Sequence, residues 1–424
     1  MKKYITASFA AAFTLILSFI FSSCVKDSCH RTYTYSYYVP IYKTTAEVKV
    51  NIKSNTPTDI QNPGKIYILG NYIFLNEIDK GIHIIDNSNP ASPAKKAFIN
   101  IPGNMDIAVK GNILYADLYT DLVTIDISNP LDAVVKRYNE GVFPYRAYNS
   151  FSADKSKIIV DWVKRDTTVT EECAGNSLLQ FDRGVFFMAN SGGGGGDSKA
   201  SVSPIGLGGS MARFTLVNNR MYTVSYSDLN VFNITAPENP VFSKKVNISS
   251  WNIETIFPFK DKLFIGSQNG MFIYNIANPD NPVQSGQFTH ARSCDPVIAD
   301  DNFAYITLRS GNTCRGFTNQ LDILRLNNYT NAQLVKTYNL TNPHGLSKDG
   351  NLLFICDGKA GLKVYDASDV MNLQLIKQIT PLDTYDVIAY NNKAMVVAKD
   401  GLYQYDYSNI KDIRLLSKID VLKK

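Results

Sequence analysis

The chain has 424 residues, 45% hydrophobic and 19% charged, with 25 Tyr and 22 Phe, a profile that excludes extended disorder and favours a strand-rich fold with a large core. Its formal net charge of +5 includes Lys2 and Lys3, which belong to a segment expected to be removed, so the mature balance is close to neutral and nucleic acid is not an expected partner. Closed β architectures often use this length as one unit, so repeats are sought before domain boundaries are drawn.

The first 23 residues read as a signal peptide: Met1-Lys2-Lys3 supplies the positive start, and the apolar stretch from Tyr4 to Phe21 is short for a membrane span. It ends in Phe21-Ser22-Ser23-Cys24, which resembles the bacterial lipobox, in which small residues before a Cys direct cleavage once that Cys is acylated. The resemblance implies that Cys24 is the lipidated mature N-terminus and that acyl chains hold the protein to a membrane. Val25, where an Asp would favour inner-membrane retention, implies the outer membrane, with the periplasmic face and the cell surface both open. Residues 24–44 form a tether; its Tyr-rich part, Arg31 to Lys43, lacks turn signals and strict alternation and reads as an extended stalk.

From residue 45 to 424 one pattern recurs: apolar strand, polar turn, second apolar strand, then a Gly or Asp opening a strand that ends in Asp and runs into Ser-Asn-Pro before a last strand. The fullest copies are Gly81 to Pro90 and Asp121 to Pro130; weaker ones run Leu229 to Pro240, Gly270 to Pro282, Gly361 to Ser368 and Gly401 to Asn409. Aligned first strands place Lys65, Asp106, Arg146, Arg213, Glu254, Asp295, His344 and Asp386 at one position, with successive spacings of 41, 40, 67, 41, 41, 49 and 42. Short strands with a period near 40 are expected for propeller blades, since one small sheet covers its faces only when packed between neighbours. The expectation is an all-β protein, a single β-propeller of about eight four-stranded blades with seven as the alternative. The 67-residue step carries a Gly-rich insertion near residues 191–210, and the unit after Arg146 is the doubtful one, because its second half lacks the Asp and Ser-Asn-Pro turn. A structural role is read for that turn: Asp caps backbone N–H groups and Pro stops further pairing.

The strands Ile82-His-Ile-Ile-Asp86 and Leu122-Val-Thr-Ile-Asp126, with their turns, resemble the LVIVD-repeat proteins, bacterial surface or secreted β-propellers; the lipobox and Tyr-rich tether resemble the lipoprotein branch found in Bacteroidetes. That resemblance implies a fold and brings no catalytic residues with it.

Of six Cys, Cys24 is assigned to lipid, while Cys294 and Cys314 fall at one rim of a single unit and are expected to pair, closing a loop of about 20 residues worth roughly 3 kcal/mol. Cys356 reads as a small buried hydrophobe, with Cys29 and Cys173 left free or paired. No metal site is expected, given four His and no C-x-x-C spacing, and no cofactor motif is present; Gly192 to Gly196 lacks the Lys-Ser/Thr order of a phosphate loop. His83 and His290 read as surface or edge histidines rather than bases, and Trp162 and Trp251 as packing residues. The eight aligned ionisable residues are expected to ring one channel mouth, either neutralising one another or holding a polar ligand. The function expected is a non-enzymatic binding or protein-interaction scaffold on the envelope, for a glycan, a peptide or an envelope protein. A hydrolase using the ring carboxylates and a structural component of an outer-membrane complex are the alternatives.

Overall fold

The computed structural model describes residues 30–145, 154, 156–172, 207–248, 252–290, 296–311 and 318–422. Cys24, Cys29, Cys173, Cys294, Cys314, Arg146, Asp295, Trp251 and nearly all of the Gly-rich insertion lie outside these residues. The chain divides into two compact units, Met1–Val39 with Trp162–Phe186, and Pro40–Asp161 with Phe187–Lys424.

The larger unit is a β-propeller. Seven antiparallel blades begin with inner strands Pro63–Leu69, Ile107–Lys110, Phe214–Val217, Ile253–Phe259, Val297–Ala299, Leu346–Asp349 and Thr384–Tyr390, numbered here blades 1 to 7, and each blade adds three more strands outward in chain order. Neighbouring inner strands touch all the way round, blade 7 meeting blade 1, so the described residues close a seven-membered ring. Among the described residues the count is therefore seven, and the unit expected after Arg146 contributes no blade there. Its described part, Lys157–Glu172, is one 16-residue strand that pairs with a 15-residue strand, His30–Thr44. The segment has no Gly, Asn or Pro to turn it, so nothing cuts it into blade-length pieces. The stretch read as a stalk is thus a paired strand, and alternation of hydroxyl and Tyr from Thr32 to Tyr37 is the signal that reading undervalued.

Each blade centres on a large side chain at the third residue of its second strand: Phe74, Tyr115, Tyr222, Phe264, Tyr305 and Phe354, each no more than 1% exposed, with Met395 in blade 7. The repeat turn couples blades as well as turning the chain. In blades 1 to 4, 6 and 7 the strand-ending Asp or Asn accepts the N–H two residues on at 2.8–3.0 Å: Asp86, Asp126, Asn233, Asn275, Asp366 and Asp406. The carbonyl at the Pro position then accepts a side chain from the blade before it, Tyr115 Oη on Pro237 and Tyr222 Oη on Pro279 at 2.8 Å, Tyr338 Oη on Val370 at 3.0 Å, and Ser417 Oγ of blade 7 on Pro90 at 2.6 Å. Asp126→Ala is expected to lower stability by about 1 kcal/mol, read from the urea midpoint, with Asp126→Asn close to neutral.

Ring closure at blades 7 and 1 rests on the parallel bridge Ile60–Val421 and on reciprocal amide bonds between Gln404 and Asn87 at 2.7 and 3.0 Å. Outer strands carry Lys or Arg where their edges face water, which discourages pairing with another chain. Blade 4's outer strand, Val283–Thr289, has none, and it is bridged instead to Asn331 of blade 5.

Candidate functional site

Of the aligned ionisable residues, the six that are described, Lys65, Asp106, Arg213, Glu254, His344 and Asp386, lie on or just before the inner strands of the ring, in two registers rather than one. Counting back four residues from the last residue of the inner-strand hairpin, the equivalent positions are Lys65, Asp106, Arg213, Thr255, Pro296, Gly345 and Asp386. Glu254 and His344 stand one residue earlier, as does Asp295 in sequence. Bulges in the inner strands, at Gly64–Lys65, Glu254 and Tyr385, accommodate the extra residue, which spacing alone does not show.

The first group comes from blades 7, 1, 2 and 3. The Lys65 ammonium donates to Asp106 Oδ2, which also receives the Arg213 backbone N–H, while Asp106 Oδ1 accepts from Ile107 N at 2.8 Å. Asp117, unremarked in the sequence, accepts the Met105 and Asp106 N–H groups at 2.8 Å and fixes that corner. Asp386 is 3% exposed; it accepts the Val387 N–H at 3.0 Å, and its Oδ2 has no hydrogen-bond partner. Burial pushes its carboxyl up to about 7, with the Asp106 carboxylate adding to the rise and Lys65 opposing it. Burial also raises Asp106 and brings Lys65 down to about 8.

What seals this group is the end of the Gly-rich insertion. Leu207–Gly208 pairs with Tyr67 and Ile68 on the inner edge of blade 1. Gly209 lies so close to Asp386 that a Cβ would sit 2.2 Å from its Oδ2, and Gly345 approaches Oδ1 equally closely. Ser210 Oγ then accepts Leu346 N of blade 6 at 2.7 Å, Ala212 O accepts Ile256 N of blade 4 at 2.9 Å, and Arg213 N reaches Asp106 of blade 2. In seven residues the chain touches five blades, with Ser210, Met211 and Ala212 all buried. The sequence analysis reads this region only as the end of a Gly-rich insertion, and the small side chains at Gly208-Gly209-Ser210 are the one local sign of a close backbone approach.

The second group joins Glu254, Arg309, His344 and Tyr385 of blades 4 to 7. Glu254 Oε1 accepts from Gln268 Nε2 at 2.9 Å. Arg309 is 9% exposed and interacts electrostatically with Glu254, Tyr385 and His344. Burial, then the Arg309 charge, hold the His344 imidazole well below its usual range, so it is neutral. Its Nε2 lies 3.1 Å from Asn342 Nδ2, and its ring stands edge-on to Tyr385 with centroids 5.4 Å apart. Arg309 directly follows a second strand, Phe303–Leu308, a place the first-strand alignment does not inspect. Outside the channel, His83 is fully buried, not at the surface, and meets Glu77 Oε2 at 3.0 Å. Cys356 is fully buried with a free thiol, which burial raises well above the usual range. A separate cavity of about 330 Å³ is lined by Thr45, Tyr119, Asp121, Glu140, Tyr145 and Lys157 beside blade 2. Among the described residues no group of three or more His, Cys, Asp or Glu is placed to hold a metal ion, and no helix is long and apolar enough to cross a membrane.

Comparison with known proteins supports the repeat and the fold. The LVIVD repeat matches residues 62–100 and 103–136, the first two blades. No curated protein matches the chain. Solved structures similar to it include a protein from Lactobacillus plantarum (12% identity, 85% of this chain and 97% of that one covered, TM-score 0.52). Others are the periplasmic gluconolactonase of Pseudomonas aeruginosa (10%, 84% and 96%, TM-score 0.50) and a computationally designed protein (9%, 86% and 90%, TM-score 0.51). At such identities the likeness shows the fold alone.

Proposed function

We propose that the chain is a lipoprotein of the cell envelope, held in the outer membrane through an acylated Cys24, whose propeller is a non-enzymatic scaffold binding a glycan, a peptide or another envelope protein. The observation that supports a scaffold over an enzyme is the chain segment 207–212, which fills the channel beside the ring. Asp106 and Asp386 have the raised pKa values of an acid–base pair, yet they are 1% and 3% exposed. A carboxylate that water barely reaches cannot meet a substrate within hydrogen-bond distance, so burial outweighs the pKa argument. The ligand is then engaged by the rims and loops, where connecting segments are free to vary on a rigid frame.

A hydrolase at the channel mouth is the second reading, favoured by the neutral His344 beside Arg309, Glu254 and Tyr385. A thermal-shift screen of the mature chain against envelope polysaccharides and peptides separates the two. Ligand at a hundredfold above its dissociation constant stabilises by about 2.7 kcal/mol. A shift that persists in His344→Ala supports rim binding. A shift lost in that variant, with product appearing only for the unsubstituted protein, makes the hydrolase reading the better one.

A further inference from the structure

We propose that residues 207–212 are a pH-released strap, seated across the axis while the Asp386 carboxyl holds a proton and lifting away once it ionises. Filling of the channel is then conditional, a property beyond the scaffold reading and independent of Cys24. The strap's hold is spread thinly. Leu207 and Gly208 pair with Ile68 and Tyr67 of blade 1, and the Ser210 hydroxyl receives Leu346 N of blade 6 at 2.7 Å. Ala212 O receives Ile256 N of blade 4 at 2.9 Å, and the Arg213 N–H reaches Asp106 of blade 2. The strand pairing is two residues long and the other bonds fall singly on different blades, so no ladder makes the hold cooperative. A segment held in this way opens locally at far lower cost than a blade strand.

The weak point of the seat is Asp386. It is 3% exposed, receives the Val387 N–H at 3.0 Å, and has an Oδ2 without a partner. Gly209 and Gly345 close over it so tightly that a Cβ on either would collide with the carboxyl, and the Gly345 N–H is taken by Tyr385 O at 2.9 Å. The Lys65 ammonium is committed to Asp106. An ionised Asp386 in that seat is therefore short of donors and of water. Gly345, Lys65 and Asp106 sit in or beside inner strands of the closed ring, whereas Gly209 belongs to the strap, so withdrawing the strap admits water without breaking a blade.

The sign of the pH dependence follows. Burial holds the seated carboxyl up at about 7, with Asp106 adding and Lys65 opposing, whereas a solvated one titrates at about 4. Between those values the seated form keeps a proton that the released form has lost. Seating is firm at about pH 4, weakens by up to tenfold per unit as pH rises to about 7, and levels off above that. Lys65, brought down to about 8, stays charged over most of this window, and the Cys356 thiol of blade 6, raised by burial and then by the Asp386 charge, stays neutral. Asp106 is also raised, and its carboxylate receives the Arg213 N–H, so its protonation at low pH opposes the trend.

Hydrogen exchange of the mature full-length protein at pH 5.0 and 7.5, corrected for intrinsic rates and read by mass spectrometry, tests this. The peptide spanning 207–213 is expected to lose at least tenfold in protection at pH 7.5, while one spanning Arg220–Val224 of blade 3 keeps its protection. In Asp386→Asn, whose amide does not ionise, the strap is expected to keep its pH 5.0 protection at both values. Gly209→Ala, which drives a methyl group into the carboxyl, should release the strap at both values and leave Arg220–Val224 protected. Equal strap protection at the two pH values in the unsubstituted protein overturns the proposal, and so does a loss of protection in Asp386→Asn. Loss of the blade 3 strand together with the strap, at pH 7.5 or in Gly209→Ala, also overturns it, because the segment would then leave only when the ring unfolds.

Discussion

Lys65→Met is expected to destabilise the propeller by about 3–5 kcal/mol at neutral pH, among the largest losses a single substitution can cause here. The ammonium is 4% exposed and donates to an Asp106 carboxylate that is 1% exposed, so removing it strands a charge where water cannot solvate it. Backbone donors from Ile107 and Arg213 remain on Asp106, but they do not neutralise a full charge. Asp106 is already raised by burial, so losing Lys65 drives its pKa further up, and part of the lost stability returns as pH falls and the carboxyl takes a proton. Urea unfolding at pH 7 gives the number. The same substitution in the Asp106→Asn background should cost less than half as much, because the amide keeps an acceptor for the Arg213 N–H without a stranded charge. Equal losses in the two backgrounds would show that Lys65 acts by packing alone.

The contrast between Lys65 and Glu254 explains how far the sequence carries. Blade architecture was legible because it is written in local terms: strand-length apolar runs, an Asp that binds the N–H two residues on, and a Pro that ends pairing; the carbonyl at the Pro position that receives Tyr115 or Tyr222 from another blade was not. The spacing also set Lys65, Asp106, Arg213 and Asp386 at one position, and these four do share one register of the inner strands. It put Glu254 and His344 in that same register, whereas each stands one residue earlier; for Glu254 the cause is a bulge, which changes which residue faces the axis in a way that spacing does not record. The plug was illegible for another reason. Gly209 meets Asp386 across 177 positions of chain, and no local pattern encodes a contact that depends on ring closure. His83 was misread as a surface or edge residue for a similar cause: its partner Glu77 ends the preceding strand, and that pairing buries a histidine an isolated strand would expose.

Asp386→Asn should flatten the pH dependence of stability and make the protein more stable above pH 7. In the native state burial holds this carboxyl near 7, whereas in the unfolded chain it titrates near 4. Between those values the folded form keeps a proton that the unfolded form has lost, so stability present at pH 4 declines as pH rises toward 7, by up to about 1.4 kcal/mol per unit. Above 7 both forms are ionised and the loss is complete. Lys65, brought down to about 8, has the opposite sign and acts only at higher pH, while Asp106, also raised, leaves a residual slope in the variant. The amide oxygen retains the Val387 N–H, and the amide nitrogen replaces an oxygen that had no partner beside Gly209. Melting temperatures from pH 4.5 to 7.5 decide the matter: curves that converge at the acid end and separate toward pH 7.5 are expected. Parallel curves would mean that Asp386 ionises normally and that water reaches the axis past the 207–212 segment, which would reopen the channel as a place for a ligand.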